Sequence, residues 1–185
     1  RLYVSYWHGG FVILDISNLK KPKMISRLDW SPPYPCPTHT ALPIPHDIDG
    51  RKFMIVTDEE VEDRLFPRPS SFSWMVDITE ETNPIPVSNW RIHQEAGFDP
   101  KEWFGAHQPQ EQVYDNNIIC TTWFAGGMRV LDIGDPYRPN EVGYFVPNPG
   151  KDQTIVQSND VFVSPNGTIY LLDRLNGLDI LEYTG

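Results

Sequence analysis

The sequence predicts an all-β protein, a β-propeller of four-stranded antiparallel blades present as a partial ring of about three and a half blades. Two observations predict it. "GGFVILDISNLKKP" (9–22) recurs as "GGMRVLDIGDPYRP" (126–139) without a gap, Asp15 matching Asp132 and Pro22 matching Pro139. The 18 prolines and 13 glycines are spread between short β-rich segments, not gathered into a linker. That distribution suits many short strands joined by turns. A fixed repeat comes before any other reading, because it sets the architecture.

The elements follow in order. Residues 1–29 read as strands B, C and D of one blade, and residues 30–92 as a full blade. In that blade "CPTHTALPIP" is A, "KFMIVTDEE" B, "SFSWMVDIT" C and "IPVSNWRI" D. Residues 93–147 read as a second full blade, with "AHQPQEQVY", "IICTTWF", "GMRVLDI" and "EVGYFVP" as its strands, and 148–185 supply strands A to C of the last. A weaker copy of the repeat keeps Asp77 seven residues before Pro84, and another keeps Gly177 five before Glu182. Asn-Asn, Asp-Gly and "SPNG" mark hairpins, and no segment has a useful helical period. The strands total 3 + 4 + 4 + 3, which does not close a ring of four-stranded blades. The chain therefore reads as the C-terminal part of a longer protein, its ring completed by a missing N-terminal half or another chain.

Within the repeat, Asp15, Asp77 and Asp132 are expected to end strand C and accept a backbone hydrogen bond from the following turn. The glycine pairs 9–10 and 126–127 are expected to supply positive φ.

A net charge of −10 argues against a phosphate-binding surface, so nucleic acid is not an expected partner. No apolar run reaches the ~20 residues of a membrane helix. Cys36 and Cys120 could form at most one disulfide, which their settings do not favour: one lies in a Pro-rich connection and the other in an apolar strand. Asn166-Gly167-Thr168 matches a glycosylation sequon but reads better as a hairpin turn.

Strand A lines a propeller's channel, and the start of A shares one face with the end of B. His39, His107 and Asn159 stand at the start of strand A in successive blades and should ring the mouth together. The B–C corners add His8, Glu59, Glu60 and Arg174. Imidazoles at equivalent radial positions suit a transition metal (Cu, Zn, Fe or Ni), with nearby carboxylates orienting them or acting as bases. The candidate catalytic residues are His39, His107 and Glu111, which lies four positions along the same strand as His107; the candidate metal ligands are His39 and His107. Asn159, His8, Trp103 and Arg174 are the candidate substrate contacts. The competing reading makes the histidines the polar lining of a wet channel.

The connections "DWSPPYPCPT" and "HQEAGFDPKEWFGA" bring Trp30, Tyr34, Phe98, Trp103 and Phe104 toward that face, as walls of a pocket or as caps on the blades. His46, beside the A–B turn, belongs to the opposite face. His93 follows strand D.

The Gly-Gly-x-x-[VI]-Leu-Asp-Ile…Pro pattern of 9–22 and 126–139 resembles the LVIVD-repeat family of β-propellers, a resemblance that spans the chain, and "SNDVFVSPNGTIYLLDRLNGLDILEYTG" resembles the final repeat of its bacterial members. A more distant similarity is to the selenium-binding protein, or methanethiol oxidase, family, whose propellers set histidines on inner strands and are copper-linked; no motif residue carries over. These resemblances imply a fold and no chemistry. Two functions stand side by side. One is a small-ligand-binding propeller with a histidine-lined channel mouth, working as a metal-dependent hydrolase or oxidoreductase. The other is a non-catalytic interaction scaffold docking through acidic loops at 59–71.

Overall fold

The computed structural model describes residues 1–61, 71–92 and 104–185. The described residues form thirteen strands and no helix, in four antiparallel sheets that follow one another along the chain. The architecture is that of a partial β-propeller, as the sequence predicts. The first sheet holds β1 (Leu2–Ser5), β2 (Phe11–Asp15) and β3 (Lys23–Leu28). The second holds β4 (Thr38–Pro43), β5 (Phe53–Asp58), β6 (Ser73–Asp77) and β7 (Ile85–Trp90). The third holds β8 (Ile118–Thr122), β9 (Met128–Asp132) and β10 (Asn140–Phe145), and the fourth β11 (Ser158–Val163), β12 (Thr168–Asp173) and β13 (Gly177–Glu182).

One expected strand is broken. The segment 107–110 runs beside β8 and exchanges backbone bonds with it (Thr122 N to Gln108 O at 2.8 Å, Gln110 N to Cys120 O at 2.8 Å), yet leaves a single bridge, Pro109 to Thr121. Pro109 has no N–H to give to a ladder, and Gln110 turns its side-chain Oε1 onto Cys120 N at 2.8 Å. The third sheet therefore has three regular strands where the sequence predicts four.

Three apolar seams join the sheets. Phe11 and Ile13 meet Met54, Val56, Trp74 and Val76 between the first two. Phe53, Ile55 and Met75 meet Ile119, Leu131 and Ile133 between the second and third, and Cys120 and Val130 meet Val161, Ile169 and Leu171 between the last two. Alternation along each strand feeds opposite seams, as period-two geometry requires. Each such fully buried side chain contributes about 1.5–3 kcal/mol. Beyond the last sheet, Phe162, Tyr170, Leu172, Leu178 and Ile180 are exposed.

The repeat turn has a physical reason at each position. Trp7 and Phe124 take positive φ (50° and 42°), as do Gly10 and Gly127 (74° and 76°). The first glycine of each pair does not, which corrects the expectation for Gly9 and Gly126; these are held by space instead. A Cβ on Gly126 would lie 2.7 Å from Ile92 Cδ1, and one on Gly9 2.3 Å from Tyr6 Cδ1. At Gly127 both constraints act, since a Cβ there would come 2.3 Å from Phe145 O. The strand-end aspartates do as expected: Asp15, Asp77 and Asp132 accept from Ser17 N (2.9 Å), Thr79 N (2.8 Å) and Gly134 N (2.8 Å).

The seams also share a polar joint. Ser5 Oγ donates to His39 O, Thr57 Oγ1 donates to His107 O at 2.6 Å, and Thr122 Oγ1 donates to Asn159 O at 2.9 Å. In each case a hydroxyl near the end of strand B grips the carbonyl of the residue that starts strand A in the next sheet. The joint makes His39, His107 and Asn159 equivalent in space. It also aligns Trp7, Glu59 and Phe124, each two residues after the gripping hydroxyl; Arg174 takes the place of Glu59 in the last sheet, its N–H donating to Gln157 O as that of Glu59 does to Pro37 O.

Candidate metal centre at the channel mouth

In the second sheet, pairing steps from Thr38–Asp58 to Thr40–Thr57, so His39 sits in a β-bulge; in the fourth it steps from Ser158–Asp173 to Asp160–Leu172, leaving Asn159 in the same place. A bulge re-aims the side chain it frees. These bulges, with the broken start at His107, turn the three residues toward one another. The His39 and His107 rings lie 4.2 Å apart, tilted by 39°.

Glu59, at the end of β5, completes the group. Its Oε2 is 3.8 Å from His39 Nε2 and its Oε1 3.5 Å from His107 Nε2. One ligand atom from each residue lies within 4.8 Å of the others. These separations are too long for hydrogen bonds. Because an ion with ligands at about 2.1 Å spaces them roughly 3.4 Å apart, the group needs about 1 Å of closure to hold one.

The protonation pattern points the lone pairs inward. His107 Nδ1 lies 2.5 Å from Asn159 O, and a carbonyl can only accept, so Nδ1 carries the proton and Nε2 of the neutral ring is an acceptor. His107 is buried, and burial first, then the neighbouring His39, depress it to about 4, so the ring is neutral at neutral pH. His39 is lowered as well, mainly by burial and then by Arg174, and its Nδ1 meets Thr40 Oγ1 at 2.8 Å. Burial raises the Glu59 carboxyl, and Arg174 works against that. An acceptor nitrogen and a carboxylate therefore face each other across a gap, an arrangement that a bound cation relieves.

Supports surround the group. Phe124 is fully buried and packs its ring against His107, 4.9 Å between centroids, while the Arg174 guanidinium lies over the same ring at 5.2 Å. Arg174 Nε donates to Asn159 Oδ1, and one of its terminal nitrogens reaches Glu59 Oε1 at 3.9 Å. Behind Glu59, Asp58 is fully buried and accepts from Trp30 Nε1 (3.1 Å), Trp74 Nε1 (2.8 Å) and Phe72 N (3.1 Å). Burial pushes its carboxyl up to about 7 against the pull of these donors. Cys36 Sγ lies 3.6 Å from buried Glu60 Oε2, and Cys36 and Cys120 are not joined in a disulfide.

The other sequence candidates fall as follows. Glu111 is not part of the group at His107: it is exposed, at a bend beyond the broken strand, and lines a shallow cleft with Pro43, Pro45 and Tyr114. His8 is exposed, one residue past Trp7, which holds the position equivalent to Glu59. Asn159 serves His107, Thr122 and Arg174, and Arg174 borders the group. Trp103, Phe98, His93 and most of the 59–71 loop lie outside the described residues. His46 meets Asn117 Oδ1 at 2.7 Å, in the turn before β8. Trp30 stacks on Trp74 (4.6 Å), Tyr34 packs edge-on against the same ring, and Phe104 enters the second seam, so these three aromatics cap the blades. A cleft of about 330 Å³ lies elsewhere, between the last two sheets, lined by Val142, Tyr144, Leu181 and Tyr183.

Glu59 as a third donor is the residue that sequence reasoning missed as a ligand. The signal was the hydroxyl two positions upstream: Ser5, Thr57 and Thr122 align Trp7, Glu59 and Phe124.

Comparison with known proteins matches residues 2–29 to the LVIVD repeat. No curated protein matches the chain. The first sheet thus carries an LVIVD repeat, and the joints and turns described above show the same local design recurring in the later sheets.

Proposed function

We propose that the channel mouth is a transition-metal site held by His39 Nε2, His107 Nε2 and the Glu59 carboxylate, and that the protein is a metal-dependent enzyme acting on a small molecule. The observation that carries this reading is the inward convergence of three donors, with the His107 tautomer set by Asn159 O. Two imidazoles and a carboxylate suit Zn, Fe, Ni or Cu, and three protein ligands leave coordination positions for water or substrate. When bound, such a metal polarises a ligand oxygen and lowers the pKa of bound water, chemistry that serves hydrolysis and oxidation alike.

The chain's own residues do the rest. Asn159 O and the Phe124 ring fix the His107 plane, Thr57 fixes the backbone that carries it, and the bulge at His39 aims the second ring across the mouth. Holding the ligands on two neighbouring sheets, with the third and fourth sheets bracing His107, preorganises the centre before any ion arrives. Beyond the last sheet, the exposed Tyr170, Leu172 and Ile180 lie on the side through which the other sheets pack on a successor; a further blade, from the same chain or another, would cover it.

The test is thermal unfolding with and without metal. Zn²⁺ or Co²⁺ at about a thousand times its dissociation constant should stabilise the folded protein by roughly 4 kcal/mol, and a chelator should remove that gain. A melting temperature that ignores both sinks the metal reading and returns the weight to an interaction scaffold.

A further inference from the structure

We infer that the free edge of β13 is a docking site for an extended segment of a partner protein, and that the segment carries the pattern x-[Ile/Val]-[Ser/Gly]-x-[Leu/Trp/Phe]. In the first three sheets strand C has an outer neighbour: β2 pairs with β3, β6 with β7 and β9 with β10. In the fourth, β13 pairs with β12 alone among the described residues, residue for residue from Gly177 to Glu182. Its other edge therefore presents backbone donors and acceptors to a further strand. Natural edges are commonly blunted by proline, lysine or a bulge, and β13 has none of the three.

The three occupied edges specify the occupant. Each outer strand is bulged once, at the same place: the pairing skips Ile25 opposite Ile13 and Leu14, Val87 opposite Met75 and Val76, and Val142 opposite Val130 and Leu131. The skipped residue is always β-branched, and it packs into the seam with the next sheet. A bulge re-aims the chain there, and its recurrence marks a built feature. The following position is small, Ser26, Ser88 or Gly143. Two residues further on, opposite the first residue of strand C, stands Leu28, Trp90 or Phe145, each in the same seam as its bulge residue.

Counting back from the acid that ends strand C transfers this register to β13. Glu182 corresponds to Asp15, Asp77 and Asp132, so Ile180 and Leu181 take the places opposite the bulge, and Leu178 the place opposite the large residue. Leu178 and Ile180 are 57% and 65% exposed, and a β-branched and a large apolar side chain set opposite them would cover that surface. The variable first position, held by Met24, Pro86 and Glu141 in the occupied edges, falls opposite Leu181. Leu181 borders the cleft of about 330 Å³ between β10 and the segment after β13, which leaves room for any side chain there.

The experiment combines fluorescence anisotropy and hydrogen exchange on the intact protein, with a labelled peptide of residues 138–147, which carries the β10 strand and so the pattern. The peptide should bind saturably and slow the exchange of the β13 amides. Val142→Asp or Phe145→Asp in the peptide should each raise the dissociation constant about ten-fold or more, as should Leu178→Lys in a protein whose circular dichroism matches the wild type. Glu141→Ala in the peptide should leave it unchanged. No saturable binding, equal binding of all the peptides, or binding that leaves the β13 amides unprotected overturns the inference. Protection of β13 before peptide is added overturns it too: protection that fades on dilution gives the edge to a second copy of this chain, and protection that persists gives it to another part of the same molecule.

Discussion

Replacing Glu59 with glutamine lowers the affinity for divalent metal roughly a hundred-fold or more, and raises the unfolding free energy of the metal-free protein by about 1 kcal/mol. Both signs follow from one piece of geometry. With metal bound, the carboxylate supplies a charge and a donor that an amide replaces poorly. Without metal, the same carboxylate is poorly solvated and faces the acceptor Nε2 of His107 at 3.5 Å, whereas a glutamine N–H can donate to that nitrogen. A site kept at a cost to the empty fold is a common sign of function. Calorimetric metal titration and urea unfolding with chelator read the two effects separately. A Glu59→Gln protein that loses stability without metal and binds metal as the wild type does would show Glu59 to be a structural acceptor.

Replacing Asp58 with asparagine is the most damaging isosteric change expected in the described structure, costing about 3 kcal/mol. Its Oδ2 accepts both Trp74 Nε1 and Phe72 N, and its Oδ1 accepts Trp30 Nε1. Asparagine can offer a carbonyl on one side only. Keeping the pair of bonds at the Oδ2 position turns the amide NH₂ onto the Trp30 indole, donor against donor, in a site with no solvent access. The damage should spread to the first seam, because Trp30 and Trp74 stack there, and to Glu59, the next residue along the chain. Chemical unfolding measures the loss, with Trp74→Phe as the comparison: it removes a donor rather than an acceptor and should cost less. Equal stabilities of the Asp58→Asn and wild-type proteins would show that the indole bonds add nothing to the fold.

Much of the architecture was legible because it is periodic. The 9–22 and 126–139 copies share a turn whose second glycine alone can take its φ beside a strand carbonyl, and the strand-end aspartates bond the same way in three sheets. The broken strand at 107–110 was not legible, since Pro109 and the Gln110 side chain interrupt the ladder only when β8 lies alongside. Of the site, the neighbourhood of His39 and His107 could be expected from their equivalent places in successive blades. Glu59 could not be singled out from Glu60 by composition. What separates them is alternation at the end of β5: Glu59 turns to the mouth, and Glu60 turns into the interior toward Cys36. Glu111 lies apart from the group because the chain bends after the interrupted ladder and leaves it exposed in another cleft.

The central claim, that the channel mouth holds a transition metal, is tested most directly by elemental analysis of the intact protein purified without an affinity-metal step, beside a His39→Ala/His107→Ala variant of the same fold. The account predicts near-stoichiometric Zn, Fe, Ni or Cu in the wild type and background levels in the variant. A metal-free wild type that also fails to take up added metal, or equal metal in both proteins, would contradict it.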